Sequence, residues 1–203
     1  MNETRVVEAG VRILLGGGIG AGKSIAGRRF ALRGFTVVEA DRLGHEILEP
    51  GGAAFGDVSS RWPEAFADGH IDRSILAAIV FSDADLLGEL EDMTHPHIIR
   101  RIEELATRFD RLVVEVPVPL LPEGDWTTVY VAAPRSVRRD RAIGRGGTQR
   151  DVEQRMDRQA AEETWVQWAD EIITNGGTID DLDRAVDAFT YRLHATGEGR
   201  ASS

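Results

Sequence analysis

The stretch Gly17-Gly18-Ile19-Gly20-Ala21-Gly22-Lys23-Ser24 completes the pattern G-x-x-x-x-G-K-[ST], and no other segment constrains the chain as much. A short apolar run, Val11 to Leu15 broken only by Arg12, precedes it. A predicted helix from Ile25 to Arg33 follows, stopped by Gly34. Strand, glycine loop and helix in that order are the context in which this pattern binds phosphate. Glycine admits positive φ and leaves room for inward-turned N–H groups. The backbone of Gly18, Ile19, Gly20, Ala21 and Gly22 can therefore cradle phosphate oxygens where a helix begins. Lys23 would reach the β- and γ-phosphates of ATP, Ser24 would offer its hydroxyl to a bridging Mg2+, and Ile25 completes the expected ATP contacts. Of the 24 basic residues 23 are arginine, and Lys23 is the single lysine. A chain that otherwise writes arginine uses lysine where a compact ammonium must fit a tight loop.

Composition narrows the partners. The chain has 203 residues, enough to bury a sizeable core in one domain, and 42% hydrophobic with 29% charged residues is ordinary for a globular protein. The absence of cysteine excludes disulfides, thiolate catalysis and cysteine metal sites. A net charge of −10 argues against non-specific nucleic-acid or anionic-membrane binding, so anionic ligands must be held by local features. No stretch approaches the ~18 apolar residues of a membrane helix, and Glu3 and Glu8 interrupt any basic-then-apolar leader pattern, so a cytoplasmic protein is expected. Residues 1–10 and 196–203 are expected to be flexible, leaving a single domain over 11–195.

Phe35 to Val38 reads as a second strand, giving a βαβ unit whose strands end toward the phosphate loop. Asp41 lies just past that strand. It is a candidate base for a hydroxyl acceptor and equally a candidate N-cap for the helix expected over Arg42 to Leu48. Glu49-Pro50-Gly51-Gly52 breaks that helix, and from Ala53 to about Arg101 the pattern becomes short helical pieces, including Ser74 to Phe81, with an Asp68-Gly69 turn. Such an insertion suggests a substrate-holding subdomain. His95 and His97, two apart around Pro96, have poor spacing for chelation and fit a structural or substrate-contacting role better.

Leu112 to Val116 and Thr128 to Val131 read as buried parallel-type strands. Glu115 inside the first is either a partner to magnesium through its bound water or the mark of a solvent-facing strand. Between Arg135 and Arg158 there are eight arginines, of which Arg138, Arg141 and Arg145 share one helix face. A solvated, salt-bridged face is the ordinary reading. Beside a phosphate loop, Arg141 and Arg145 become lid residues, with Gly144, Gly146 and Gly147 permitting motion. Trp165 and Trp168 read as core packing. Glu171 to Thr174 is the last expected strand, and the Asn175-Gly176-Gly177 loop after it is either a plain turn or a nucleobase contact. An amphipathic helix from Ile179 to Leu193, with Leu182, Val186, Phe189 and Leu193 on one face, closes the domain.

In this order the segments resemble the dephospho-coenzyme A kinases. The resemblance rests on the phosphate loop, Val38-Glu39-Ala40-Asp41 with His45 and Glu49-Pro50-Gly51, and His95-Pro96. It continues in Pro119-Leu120-Leu121, Arg141 and Arg145 with Gln159, and Ile173-Thr174-Asn175 with Gly177. It implies a P-loop three-layer αβα fold with a five-stranded parallel sheet, an inserted helical substrate subdomain over 49–101 and a lid over 138–159. It further implies transfer of the γ-phosphate of ATP, with magnesium, to the ribose 3′-hydroxyl of dephospho-coenzyme A. Carried onto matching positions, Asp41 is the base, His45 and His95 lie with the acceptor, Arg141 and Arg145 belong to the lid, and Asn175 and Gly177 contact adenine. A monomer or small homo-oligomer is expected. Several positions depart from the family's habit: Gly16 and Ile25 stand where threonine is common, Glu39 where aspartate is usual, the segment Glu115 to Glu123 carries extra prolines, and a basic residue usual in the helix near Ala77 is absent. Other readings on the same fold are a different nucleoside or nucleotide kinase and a non-catalytic ATP-binding paralogue.

Overall fold

Short β-branched and aliphatic runs form the strands of one sheet, and the polar-faced segments between them form its helices. The computed structural model describes residues 10–200, with side chains as far as 193, so expectations for residues 1–9 and 201–203 lie outside the described residues. In chain order the elements begin β1 (Val11–Gly16), α1 (Lys23–Ala31), β2 (Thr36–Glu39), α2 (Ala40–Ile47), α3 (Phe55–Arg61), β3 (Phe66–Ala67), β4 (His70–Ile71) and α4 (Arg73–Val80). They continue with α5 (Ala84–Arg108), β5 (Arg111–Glu115), β6 (Thr127–Ala132), α6 (Arg135–Gly144), α7 (Gln149–Asp157), α8 (Glu162–Trp168), β7 (Glu171–Thr174) and α9 (Ile179–Arg200).

The main sheet has the expected five strands, in the order β2-β5-β1-β6-β7. β1 sits at its centre, parallel to β5 and β6, and β6 pairs in parallel with β7. The register of Leu15 with Glu115 brings the ends of β1 and β5 together where the glycine loop leaves β1, while β6 runs two residues past Tyr130, the partner of Gly16. Alternation along the strands sends Ile13, Leu15, Val113, Val129, Val131 and Ile173 to one face, where they bury against Phe30 of α1 and Leu182, Val186 and Phe189 of α9. Phe30 makes edge contacts with both Phe35 and Phe189, and truncating so central a ring typically costs about 3–5 kcal/mol. Arg33 pins α1 to α9 through Asp183 and Asp187 at 2.8 and 2.6 Å. The hydrogen bond from Arg33 is the main reason the Asp183 carboxyl is held below its ordinary range. On the other face Tyr130 stacks on Trp165 at 5.8 Å, and Trp165 meets Trp168 edge-on at 5.3 Å, so both tryptophans pack as expected.

Residues Glu39–Leu105 form a second compact unit, wider than the 49–101 expected from sequence. Its own core gathers Ile47, Ala54, Val58, Trp62, Leu76 and Val80. Asp68 and Gly69 both have positive φ, 52° and 82°, the requirement of a type I′ turn joining β3 to β4. Asp72 caps α4 by accepting from Ser74 N and Ile75 N at 2.9 and 3.1 Å, and the hydrogen bond from the Ser74 hydroxyl, with these amides, holds its carboxyl below the ordinary range.

Several element boundaries differ from expectation, and α1 for one runs from Lys23 to Ala31 rather than from Ile25 to Arg33. Helix α2 starts at Ala40 rather than Arg42, because Glu39 takes the extended N-cap position and does so without a side-chain bond. α5 runs unbroken through Pro96. The Thr94 hydroxyl donates to Leu90 O at 2.7 Å, and apolar packing of Leu90, Met93 and Ile98 against the unit's core outweighs the amide bond that proline removes. α9 continues past Leu193 to Arg200, into the segment expected to be loose.

Candidate functional site

The glycine loop has the backbone its sequence requires. Gly17, Gly20 and Gly22 take φ of 147°, 76° and 100°, and Gly22 serves as the left-handed N-cap of α1 while its carbonyl accepts from Ile25 N and Ala26 N. Ala21 N bonds Gly18 O at 3.0 Å, closing the turn. Lys23 Nζ reaches back to Gly17 O, which folds the ammonium over its own loop. Ser24 Oγ donates to Glu115 Oε2 at 3.1 Å. Glu115 is only 7% exposed, so β5 does not turn it to solvent, and that alternative is discarded. Room for this carboxylate comes from Gly27 in the middle of α1, where a Cβ would collide with Glu115 Oε1.

A cavity of about 420 Å3 opens over the loop, lined by Gly18, Ile19, Gly20, Gly22, Lys23, Ser24, Ile25, Arg28 and Arg145. Ala21 is fully buried and does not line it. Arg145 is the C-cap residue of α6, and the chain there is about to turn through Gly146 at positive φ. Arg28 was not anticipated from sequence, although it lies one helical turn beyond Ser24, a spacing that puts both on one face. The cavity therefore gathers an ammonium, two guanidinium groups and a hydroxyl beside a buried carboxylate, while two of the loop amides expected to meet phosphate are taken within the protein, Ile19 N by Gln159 Oε1 and Ala21 N by Gly18 O. Such a set suits a polyanion carrying a divalent cation.

Arg141 is differently employed. Its guanidinium donates to Asn175 O at 2.9 Å and Gly177 O at 3.3 Å, tying α6 to the loop after β7. Asn175 is 4% exposed and its Nδ2 donates to Ala21 O at 2.7 Å. Gly22 must lack a Cβ for that amide to approach. The Asn175–Gly177 loop is thus a brace under the phosphate loop, and its carbonyls are fixed by Arg141. Two other arginines of α6 follow the ordinary reading: Arg135 pairs with Asp157 and Arg139 with Asp140 on the surface. Thr178 and Asp181 then cap α9, and hydrogen bonds from Thr178 hold the Asp181 carboxyl below its ordinary range.

In the second unit Asp41 is in the first turn of α2 and His45 one turn on, so the two share a face. Both are exposed, and neither side chain has a hydrogen bond or ion pair among the described residues. The N-cap alternative for Asp41 is overturned, since that position belongs to Glu39. His95 is half-buried on α5. Among the described residues no group of three or more His, Asp and Glu could hold a metal ion.

Comparison with known proteins places the chain. The dephospho-CoA kinase family model matches residues 11–181, which includes the whole glycine loop, Glu115, Arg145 and Asn175. The chain belongs to the dephospho-CoA kinase family. A dephospho-CoA kinase from Thermobifida fusca is 33% identical over 91% of this chain and 99% of its own length. One from Ralstonia nicotianae is 36% identical over 89% and 98%. Among solved structures, TT1252 from Thermus thermophilus superposes with a TM-score of 0.76 at 29% identity, covering 91% of this chain and 98% of that one. Gly16, where the resemblance led to threonine as the expected residue, has a local cause: a Cβ there would collide with the rings of Trp165 and Trp168. No helix among the described residues is long and apolar enough to cross a membrane.

Proposed function

We propose that this chain is an ATP- and magnesium-dependent kinase that phosphorylates the ribose 3′-hydroxyl of dephospho-coenzyme A. The observation that carries the reading is the Ser24 hydroxyl held at 3.1 Å from a buried Glu115 carboxylate, in a cavity that also collects Lys23 and Arg145. Hard oxygen donors beside phosphate-binding groups fit Mg2+, with Ser24 as its ligand and Glu115 holding its water shell. The bound ion would neutralise charge on the β- and γ-phosphates.

In this reading the loop amides and Lys23 hold the triphosphate, and Arg145 and Arg28 meet the charge that spreads over the transferred group. Asp41 accepts the proton of the 3′-hydroxyl as its oxygen bonds to the γ-phosphorus. The bond from that phosphorus to the β–γ bridging oxygen breaks, and ADP leaves. His45, on the same helix face, and His95 contact the acceptor. Arg141 acts by fixing the Asn175–Gly177 loop, whose backbone then meets the adenine.

The test is ADP release from ATP and Mg2+ with dephospho-coenzyme A, AMP, adenosine or no acceptor. Turnover driven by dephospho-coenzyme A alone supports the assignment. Preference for another acceptor makes the chain a different nucleotide kinase. ATP binding with no acceptor phosphorylated makes it a non-catalytic paralogue.

A further inference from the structure

One residue of the phosphate loop is gripped from two sides by the segment that carries the arginines. The backbone N–H of Ile19 donates to Gln159 Oε1 at 2.8 Å, across 140 positions of sequence. The Ile19 side chain packs against Ala142, Val152 and Met156, the small core between α6 and α7. Its two neighbours are pressed by the same segment. A Cβ at Gly18 would strike the guanidinium of Arg138 and stand 2.9 Å from Gln159 Oε1, and one at Gly20 would strike the Arg138 carbonyl. Gly18, Ile19 and Gly20 therefore sit in a bracket made by α6, α7 and Gln159.

We propose that Gln159, acting through the Ile19 N–H, is a positioning residue that registers the Arg145-bearing end of α6 on the phosphate loop. The proposal rests on the kinase reading for its effect on turnover, but not for the joint itself. A glycine loop with several residues at positive φ has many conformations to lose when it closes around phosphate. A hydrogen bond to one of its amides, with the adjoining side chain sunk in a core, removes part of that freedom before the ligand arrives. The same joint fixes α6 relative to the loop, and so fixes where Arg145 stands in the cavity. Gln159 suits this because its oxygen accepts without placing a full negative charge beside bound phosphate. The nearby Arg138 guanidinium can balance a carboxylate if one is substituted there.

Three measurements on the full chain test the joint, using wild type, Gln159→Leu, Gln159→Glu, Ile19→Ala and the Gln159→Leu/Ile19→Ala double variant. The first is amide hydrogen exchange at Ile19, the second affinity for a non-hydrolysable ATP analogue with Mg2+, the third steady-state kinetics with dephospho-coenzyme A. Expected is faster Ile19 exchange and about tenfold weaker analogue binding in Gln159→Leu, the size of one lost hydrogen bond. Lower kcat with the KM for dephospho-coenzyme A unchanged should accompany it. Gln159→Glu, which keeps the accepting oxygen, should restore Ile19 protection and most of the affinity. The double variant should lose less than the product of the single losses, because both act through one residue. Unchanged exchange and affinity in Gln159→Leu overturns the proposal, as does equal loss in Leu and Glu variants. If wild type shows no turnover while exchange and affinity respond as expected, the kinase reading fails and the joint stands.

Discussion

Around the phosphate loop Lys23, Ser24, Asn175 and Arg141 are already committed to protein partners, whereas the Asp41 and His45 side chains on α2 have none among the described residues. Lys23 reaches Gly17 O, Ser24 reaches Glu115, Asn175 reaches Ala21 O and Arg141 holds the carbonyls of the loop after β7. The nucleotide half is thus built in advance, with its reorganisation cost met by folding. In the proposed reading the acceptor half presents the exposed Asp41 and His45, whose partners come with the substrate. Substitutions in the first region should disturb binding, magnesium use or stability, while those in the second should disturb turnover alone.

The largest expected effect is at Lys23. Lys23→Ala should reduce kcat/KM by about 10³-fold or more, since the lost cation faces both bound and transferring phosphate. Steady-state kinetics measures this, and a loss confined to kcat would blur the contrast between the regions. Glu115→Gln should shift the Mg2+ dependence of turnover upward by about 10- to 100-fold, the usual scale for a residue that orients a metal's water or ligand. A magnesium titration at saturating ATP reads it, and an unchanged midpoint would detach Glu115 from the metal.

Two smaller effects separate bracing from chemistry. Asn175→Ala removes a buried donor and leaves Ala21 O without its partner, at a cost of about 1–3 kcal/mol seen as a lower Tm. Gly16→Thr should cost about 1–3 kcal/mol through collision with Trp165 and Trp168. The smallest effect is on pH dependence. Asp72 and Asp181 have carboxyls depressed by capping hydrogen bonds, so their contribution is present above the ordinary aspartate range. It is lost as pH falls through their lowered values. Both are exposed, so the acid-side fall in Tm should be shallow, and Asp181→Asn should flatten it slightly.

Much of the first region was legible because it depends on local chemistry. The glycine pattern dictates positive φ, the apolar runs dictate buried parallel strands, and α9 shows Leu182, Val186 and Phe189 on its buried face as the periodicity indicates. Less legible were features set by distant packing. Arg28 required the cavity to be seen, and the Gln159–Ile19 bond spans the chain. α5 overrides a proline through tertiary burial that no local propensity records. Asp41 is an intermediate case: its place after a strand suggested two roles, and a helix start two residues earlier than expected removed the capping one.

The division between a prebuilt nucleotide half and a substrate-completed acceptor half is tested most directly at Asp41. The measurement is kcat with dephospho-coenzyme A together with the equilibrium affinity for ATP and Mg2+, in wild type and Asp41→Asn. The account predicts turnover lower by about 10²-fold or more with ATP affinity unchanged within about twofold. Full turnover in the variant, or a matching loss of ATP affinity, would contradict it.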